Sequence, residues 1–120
     1  MEMLVGRHSS EMLFWSSAHC CEHFLLDLAL NQPATQASVF DRKGASLAVD
    51  GNRSRDFSLG SCIHTNTQND PWWRVDLGAS LPVAEVVIVN RLCTSCPNNM
   101  NAFEIRIGKA IIYVHYFLNT

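Results

Sequence analysis

Two short stretches in the second half of the chain alternate apolar and polar residues at the spacing of a β-strand. They read WWRVDL (residues 72–77) and AFEIRIG (residues 102–108). Because successive side chains of a strand point to opposite faces, each stretch predicts one face that packs inward and one that meets solvent. The predicted inward residues are Trp73, Val75, Leu77, Phe103, Ile105 and Ile107, and the predicted outward residues are Trp72, Arg74, Asp76, Glu104 and Arg106.

The rest of the chain from residue 31 to residue 90 indicates the same fold class. The stretch VAEVVIVN (residues 83–90) is β-branched almost throughout, which predicts a buried strand. Before it, NQPATQAS and GASLAVDGNRSRDFSLGSC carry the clusters of Asn, Asp, Gly and Ser that are typical of loops. Short strands separated by long polar loops predict an all-β sandwich. Residues 1–27 are predicted to be a weakly amphipathic helix or a disordered leader.

The two adjacent tryptophans have different expected positions. Trp73 shares a face with Val75 and Leu77 and is predicted to belong to the core. Trp72 shares a face with charged residues, and it is expected to cover the edge of the sandwich with its indole N–H bonded to a loop carbonyl. A platform on which a sugar ring stacks is the alternative for either indole.

Length and charge exclude several classes of protein. A chain of 120 residues fits a single domain. Nine basic and eleven acidic residues nearly balance, so no broad field attracts nucleic acid or an anionic membrane. No apolar run approaches the roughly 20 residues that a membrane-spanning helix needs. No nucleophile–base pair or phosphate-loop pattern is apparent, so the sequence predicts no enzyme activity.

The cysteine content indicates an oxidising, extracellular location. Five cysteines are many for a short cytosolic protein, and their odd number leaves at least one unpaired. The N-terminal residues supply no clean signal peptide, because charged residues and histidines interrupt every apolar run there. The cysteines are Cys20, Cys21, Cys62, Cys93 and Cys96.

The pieces NQPATQAS, AVDGN, PWWRVDLG and EIRIG, in that order, resemble the fucolectins. These are eel-agglutinin-like lectins of the coagulation factor V/VIII type C (discoidin) superfamily, grouped with tachylectin and pentraxin-fusion modules. The resemblance implies a jelly-roll β-sandwich of the galactose-binding-domain-like type, with binding loops at one end. It predicts a partial fucolectin-like domain over residues 28–108, with an unmatched leader (1–27) and an unmatched apolar tail (109–120). The C-terminal strands of the family are expected to be missing.

The resemblance also implies a site for L-fucose, held by one histidine and two arginines at the loop end. The matching residues are His64 in SCIHTNT and Arg91 in VVIVNR. A guanidinium offers planar donors to vicinal hydroxyl oxygens, and an imidazole can both donate and accept. A histidine that only caps a loop is the alternative for His64. Phe57 and Leu59 are expected to form an apolar pocket for the fucose methyl group, or to be ordinary loop packing.

The loop RLCTSCPNNMN departs from the family, which has an Asp, a disulfide between adjacent cysteines and the second arginine in this place. Asn98 or Asn99 falls where the second arginine is expected, and Asn99 is taken as the binding residue. An asparagine amide in place of an arginine guanidinium predicts reduced affinity for the sugar or altered specificity. A Cys93–Cys96 disulfide follows from the resemblance, and free thiols are the alternative.

A calcium ion in the loop LAVDGNRSRDFSLGS is a further implication of the resemblance. Calcium takes about six to eight hard oxygen ligands. The matching ligands are the Leu47 carbonyl oxygen, the Asp50 carboxylate, and the side chains or carbonyls of Asn52 and Ser61. A turn that bonds only to itself is the alternative. The remaining ligands of the family come from its C-terminal end, so weakened calcium binding is expected.

Three functions remain open from the sequence. The first is a secreted, calcium-dependent lectin module that recognises fucosylated glycans, acts in innate immunity and forms a homo-oligomer. The second is a discoidin-type adhesion module that binds protein or phospholipid through apolar loop tips, for which VFDRKGA (residues 39–45) is a partial match. The third is a truncated fragment without function.

Overall fold

The computed structural model describes residues 2–8, 25–92 and 103–116. Across these ranges the regular elements are seven strands and two short 3-10 helices. The strands are β1 (Glu2–His8), β2 (Leu25–Asp27), β3 (Ala34–Gln36), β4 (Trp72–Asp76), β5 (Glu85–Val89), β6 (Phe103–Ile107) and β7 (Ile111–Tyr116), and the 3-10 helices span Ala45–Ala48 and Phe57–Leu59.

The strands form two sheets in which every pair of neighbours is antiparallel. The three-stranded sheet has the order β2-β1-β5, and the four-stranded sheet has the order β3-β4-β7-β6. Long loops separate most of the strands and carry the two 3-10 helices. The predicted all-β class is therefore confirmed.

The core lies between the two sheets. The core cluster contains the buried side chains of the four-stranded sheet, and Val86 and Ile88 of β5 are partly buried against this cluster. The first 3-10 helix adds two alanines to this cluster, Ala45 and Ala48. The residues of β4, β7 and the segment after β4 that are buried here are Trp73, Val75, Leu77, Ile112 and Val114. The prediction that Trp73, Val75 and Leu77 share a core face is confirmed.

The predicted inward face of β6 is only partly correct. Ile105 packs against the core, whereas Phe103 and Ile107 are 43% and 56% exposed. β6 is the outer strand of its sheet, so its side chains have a neighbouring strand on one flank only. The same reason explains β5, which is half-buried rather than buried and lies at the edge of the three-stranded sheet.

Residues 2–8 are a strand, so a helix over this part of the leader is the wrong prediction. β1 pairs with β2 on one side and with β5 on the other, from Glu2 opposite Val89 to Gly6 opposite Glu85. These pairings form backbone hydrogen bonds between segments that are far apart in the sequence. The local pattern of apolar residues does not predict such pairings. Residues 9–24 lie outside the described ranges.

The tail contributes the strand β7, which sits in the interior of the four-stranded sheet. It forms a hairpin with β6, and its other edge pairs with β4, where Val114 lies opposite Trp73. Ile112 and Val114 are fully buried. A segment without a counterpart in the resemblance is therefore part of the core. Within the described ranges, no helix combines the length and apolar character needed to cross a membrane.

Trp72 lies on the outer face of the four-stranded sheet and is half-buried. The Arg74 guanidinium carbon is 5.7 Å from the Trp72 ring centroid and 5.8 Å from that of Tyr113. The bond from an indole N–H to a loop carbonyl, predicted for Trp72, belongs instead to Trp73, whose Nε1 donates to Ala45 O at 3.0 Å. The inward tryptophan reaches the loop because the first 3-10 helix packs directly on the core.

Candidate functional site

Phe57 begins the second 3-10 helix, in the loop region between β3 and β4. Asp56 caps this helix, because its carboxylate accepts hydrogen bonds from the Ser58 N–H at 2.9 Å and the Ser58 hydroxyl at 2.6 Å. These bonds, the hydroxyl first, hold the pKa of Asp56 below its ordinary value. Gly60 ends the helix with φ 75°, a left-handed conformation that favours glycine. The position of Phe57 is therefore fixed by a capped and closed turn.

His64 is held in place by its backbone. Its N–H donates to Lys43 O at 3.0 Å, and its carbonyl accepts from Phe40 N–H at 2.9 Å. The Gln36 side-chain amide also donates to His64 O at 3.0 Å and to Lys43 O at 3.2 Å. The loop before the first 3-10 helix and the loop that carries His64 are thus joined at the end of β3.

Arg91 follows β5, and its segment is tied to the turn that carries Phe57. Leu92 N–H donates to Arg55 O, and Arg55 Nε donates to Asn90 O, both at 2.9 Å. These two bonds place residues 90–92 beside residues 55–57. Sequence positions far apart along the chain therefore meet at one end of the sandwich.

The side chains of His64 and Arg91 both contact the Phe57 ring. The imidazole meets it edge-on with a centroid separation of 5.7 Å, and the Arg91 guanidinium carbon lies 5.1 Å from its centroid. The structure thus brings together three residues that the sequence predicts for sugar binding. We call His64, Arg91, Phe57, Phe40 and Lys43 the Phe57 cluster.

The ring orientation of His64 defines its chemistry. Nδ1 lies 2.6 Å from Thr65 O. Because a carbonyl oxygen only accepts, Nδ1 must donate, and this uses the single N–H of a neutral imidazole. Nε2 is then an acceptor, suited to receive a hydroxyl proton. The cluster therefore combines an acceptor at His64 with guanidinium donors at Arg91.

Phe40 and Lys43 belong to the cluster but are not among the residues that the sequence predicts. The Phe40 ring lies 4.9 Å from the His64 ring, and Lys43 Nζ lies 4.9 Å from the centroid of the Phe57 ring. Asp41 and Arg42 take φ of 46° and 59°, and the chain folds back so that Lys43 N–H donates to Phe40 O. The stretch VFDRKGA was the one sequence signal, and it pointed to adhesion rather than to this site.

Leu59 lies in the same 3-10 helix as Phe57 and is 69% exposed. Of the two residues expected to form an apolar pocket, Phe57 therefore lies within the cluster and Leu59 faces solvent. Val39, Phe40 and Leu92 are also largely exposed. The loop end of the sandwich thus presents several apolar side chains.

The predicted calcium loop makes a regular series of side-chain-to-backbone bonds. At alternate residues from 50 to 56, a side-chain oxygen accepts the N–H two residues on, as Asp50 does from Asn52 at 2.8 Å and Asn52 does from Ser54 at 3.0 Å. The buried Ser61 hydroxyl contacts Ser54 O at 2.7 Å and Asp56 O at 3.0 Å. Many hydrogen-bond donors and acceptors of the loop therefore have partners within the loop itself.

The donor chemistry of this loop still fits calcium. Asp50 keeps its second carboxylate oxygen, and the Asn52 and Ser61 oxygens keep lone pairs after the bonds just described. With the Leu47 carbonyl these would be four hard oxygen ligands, fewer than the roughly six to eight that calcium takes. The residues present would hold calcium weakly, and the calcium site stays a prediction.

Three predicted residues, Asn99, Cys93 and Cys96, lie outside the described residues. The predicted disulfide and the second hydrogen-bonding residue of the sugar site therefore stay predictions. Cys62 is described and is a free, buried thiol, 3.7 Å from the Ser61 hydroxyl.

A family model described as a NedA-like, galactose-binding domain matches residues 47–111, more than half of the chain. The chain is 39% identical over 90 residues to fucolectin-1 of Anguilla japonica, covering 71% of this chain and 50% of the relative. It is 45% identical over 65 residues to the fucolectin of Anguilla anguilla, covering 54% of this chain and 40% of the relative. The chain thus spans about half the length, or less, of these curated relatives.

Two solved structures share the fold. The serum fucolectin of striped bass, Morone saxatilis, superposes with a TM-score of 0.59 and 26% identity, over 75% of this chain and 41% of that chain. A Streptococcus pneumoniae fucose-binding module superposes with a TM-score of 0.52 and 25% identity, over 79% of this chain and 86% of that chain.

Proposed function

The chain belongs to the family of NedA-like, galactose-binding domains, and on that premise we propose that it is a lectin module that binds L-fucose-containing glycans. The observation that carries the proposal is the convergence of His64 and Arg91 on the Phe57 ring. The similarity to fucolectins and to a fucose-binding module supports the choice of sugar. No covalent step is involved, so the site acts by binding alone.

The cluster offers complementary groups to a deoxy sugar. Arg91 donates to hydroxyl oxygens, and His64 Nε2 accepts a proton from a neighbouring hydroxyl. The Phe57 ring supplies an apolar surface for the fucose methyl group and the C–H face of the sugar ring. Asn99 would add an amide in place of a second guanidinium. Because an amide lacks the charge and the paired donors of a guanidinium, we expect a single site to bind fucose weakly. A homo-oligomer would raise the apparent affinity by binding several sugars at once.

Loss of either polar group of the cluster is expected to abolish detectable fucose binding. His64→Phe keeps an aromatic ring against Phe40 and Phe57 but removes Nε2, and Arg91→Ala removes the guanidinium. Losing a hydrogen bond to a polar ligand costs about 1–3 kcal/mol, or roughly 5- to 150-fold in affinity. The measurement is calorimetric titration of the full chain with L-fucose, with a thermal melt of each variant.

The matched controls for these variants are His115→Phe and Arg106→Ala. His115 stacks on Tyr113 at the outer sheet face, with ring centroids 6.0 Å apart, and Arg106 lies on the edge strand β6. Both controls should bind fucose like the parent. Parental affinity in both site variants would overturn the assignment of the site.

We expect calcium to stabilise the chain through Asp50, Asn52 and Ser61. Calcium that binds only the folded state stabilises it by mass action, and a dissociation constant near 0.1–1 mM gives roughly 1–3 kcal/mol at about 10 mM calcium. The measurement is the melting temperature with calcium and with chelator. Asp50→Asn should lose the calcium-dependent rise.

Asp76→Asn is the matched control for Asp50→Asn. Asp76 also accepts the N–H two residues on, from Gly78 at 2.8 Å, so both variants alter the same kind of turn. Asp76→Asn should keep the full response to calcium. A melting temperature that ignores calcium and chelator in the parent chain would exclude the calcium site.

A second candidate function is the adhesion module. It is favoured by one observation: the loop end exposes apolar side chains next to the basic residues Arg42 and Lys43. The exposed residues are Val39 (51%), Phe40 (47%), Leu59 (69%) and Leu92 (66%). Sedimentation with phosphatidylserine liposomes separates the two functions, because a lectin should stay in the supernatant and respond to L-fucose. The serum origin of the striped bass protein supports a secreted location, and a part in innate immunity stays a prediction.

A further inference from the structure

The geometry of Lys43 points to a specificity that we propose in addition to fucose binding: the preferred glycan carries an anionic group, a sulfate ester or a carboxylate, on the sugar next to fucose. This proposal rests on the proposed lectin function. Its first support is position, because Lys43 Nζ lies 4.9 Å from the Phe57 ring centroid and 3.4 Å from Phe57 O.

The ammonium group of Lys43 has unused hydrogen-bonding capacity. An ammonium carries three donors. Among the described residues, it donates to one acceptor, Phe57 O, and no carboxylate forms an ion pair with it. The Phe57 ring holds the ammonium by a cation–π contact, which orients the charge without neutralising it. Two donor directions therefore remain for a ligand at the loop end.

The nearby acidic side chains do not cancel this charge. The Asp56 carboxylate is directed to Ser58, from which it accepts two hydrogen bonds. Asp41 precedes Arg42 and Lys43, so residues 41–43 carry one excess positive charge. A neutral sugar needs donors here but no excess charge, whereas an anionic group gains from the Lys43 ammonium.

Matched pairs of fucosylated glycans test the proposal. Neutral Lewis x and Lewis a are compared with their 3′-sulfated and 3′-sialylated forms, which separate the sulfate source from the carboxylate source. We expect at least one anionic member to bind about three- to tenfold more tightly than its neutral partner at low salt, the range of a partly exposed charge-assisted contact. This advantage should shrink as salt screens the charges.

Substitutions at Lys43 locate the effect. Lys43→Gln should bring the ratio of anionic to neutral affinity to about one, and Lys43→Arg should restore it because the charge returns. Arg106→Gln removes an exposed charge on β6 and should leave the ratio at its parental value. Parental ratios in Lys43→Gln would overturn the proposal, as would ratios near one in the parent chain.

The outcome is distinguishable from failure of the lectin function itself. If L-fucose binds but no anionic member exceeds its neutral partner, the lectin function stands and this specificity is wrong. If L-fucose and every fucosylated glycan fail to bind, both are wrong. Binding of phosphatidylserine liposomes that is lost in Lys43→Gln, without any glycan preference, would assign the cation to a lipid headgroup and overturn the proposal.

Discussion

Trp73→Ala is expected to abolish cooperative folding, and sugar binding should be lost only as a consequence. The side chain is 0% exposed, and it is opposite Val114 in the pairing of β4 with β7. Removing a buried tryptophan costs about 3–5 kcal/mol, which is comparable to the low end of the roughly 5–15 kcal/mol that stabilises a folded domain, where a small domain is expected to lie. The loss would also free Ala45 O from its bond to the indole at 3.0 Å, two residues from Lys43.

Urea denaturation, monitored by circular dichroism, measures the loss in the free energy of unfolding. Two further variants serve as comparisons. Trp73→Phe keeps a ring in the core but leaves Ala45 O unpartnered, so a smaller loss of about 1–3 kcal/mol is expected. Trp72→Ala removes the neighbouring indole from the outer face and should unfold near the parental midpoint. A parental midpoint for Trp73→Ala, combined with lost fucose binding, would instead mean that this indole contacts the sugar.

Val114→Asp in the tail is expected to unfold the chain as completely. Val114 is 0% exposed at the centre of the four-stranded sheet, between Trp73 on β4 and Ile105 on β6. An unpaired carboxylate in such a position either stays charged at a high cost in solvation or takes up a proton, and it also loses the packing of the valine. We expect a loss of more than about 4 kcal/mol in the free energy of unfolding.

Thr35→Asp is the control with the same added charge. Thr35 lies on β3 of the same sheet, is exposed, and its hydroxyl accepts a hydrogen bond from Arg74 Nε at 2.8 Å. A carboxylate there faces solvent beside a guanidinium, so Thr35→Asp should fold normally. If Val114→Asp melts like Thr35→Asp, the tail is not part of the core and the position of β7 in the sheet is wrong.

The sequence predicted the strands whose information is local. The alternation in WWRVDL identified β4 and the buried positions of Trp73 and Val75. Successive side chains of a strand point to opposite faces, and only one face of this stretch is free of charged residues. The same rule located β6 to within one residue at each end but did not predict its burial. Phe103 and Ile107 are exposed because β6 is an edge strand, and edge position is a property of the sheet rather than of the strand.

The candidate site was predictable only in part. His64, Arg91 and Phe57 were found through a family resemblance, and the structure places them around one ring. Phe40 and Lys43 were missed, because their contacts depend on a backbone reversal at Asp41 and Arg42. The hydrophobic pattern of the sequence does not predict this reversal. Their roles in binding, like that of Asn99, stay predictions that the titrations above decide.

The sequence by itself determined that this protein is an all-β chain with Trp73 in its core and polar, turn-rich loops. These properties follow from side-chain alternation and turn chemistry, which act between near neighbours. Tertiary structure alone decided that residues 2–6 pair with β5, that β7 lies between β4 and β6, and that Lys43 contacts the Phe57 ring. The physical reason is that strand pairing and loop contacts join residues far apart in sequence. The stabilisation they give depends on which distant segment each strand or loop contacts, and the local pattern does not specify that segment.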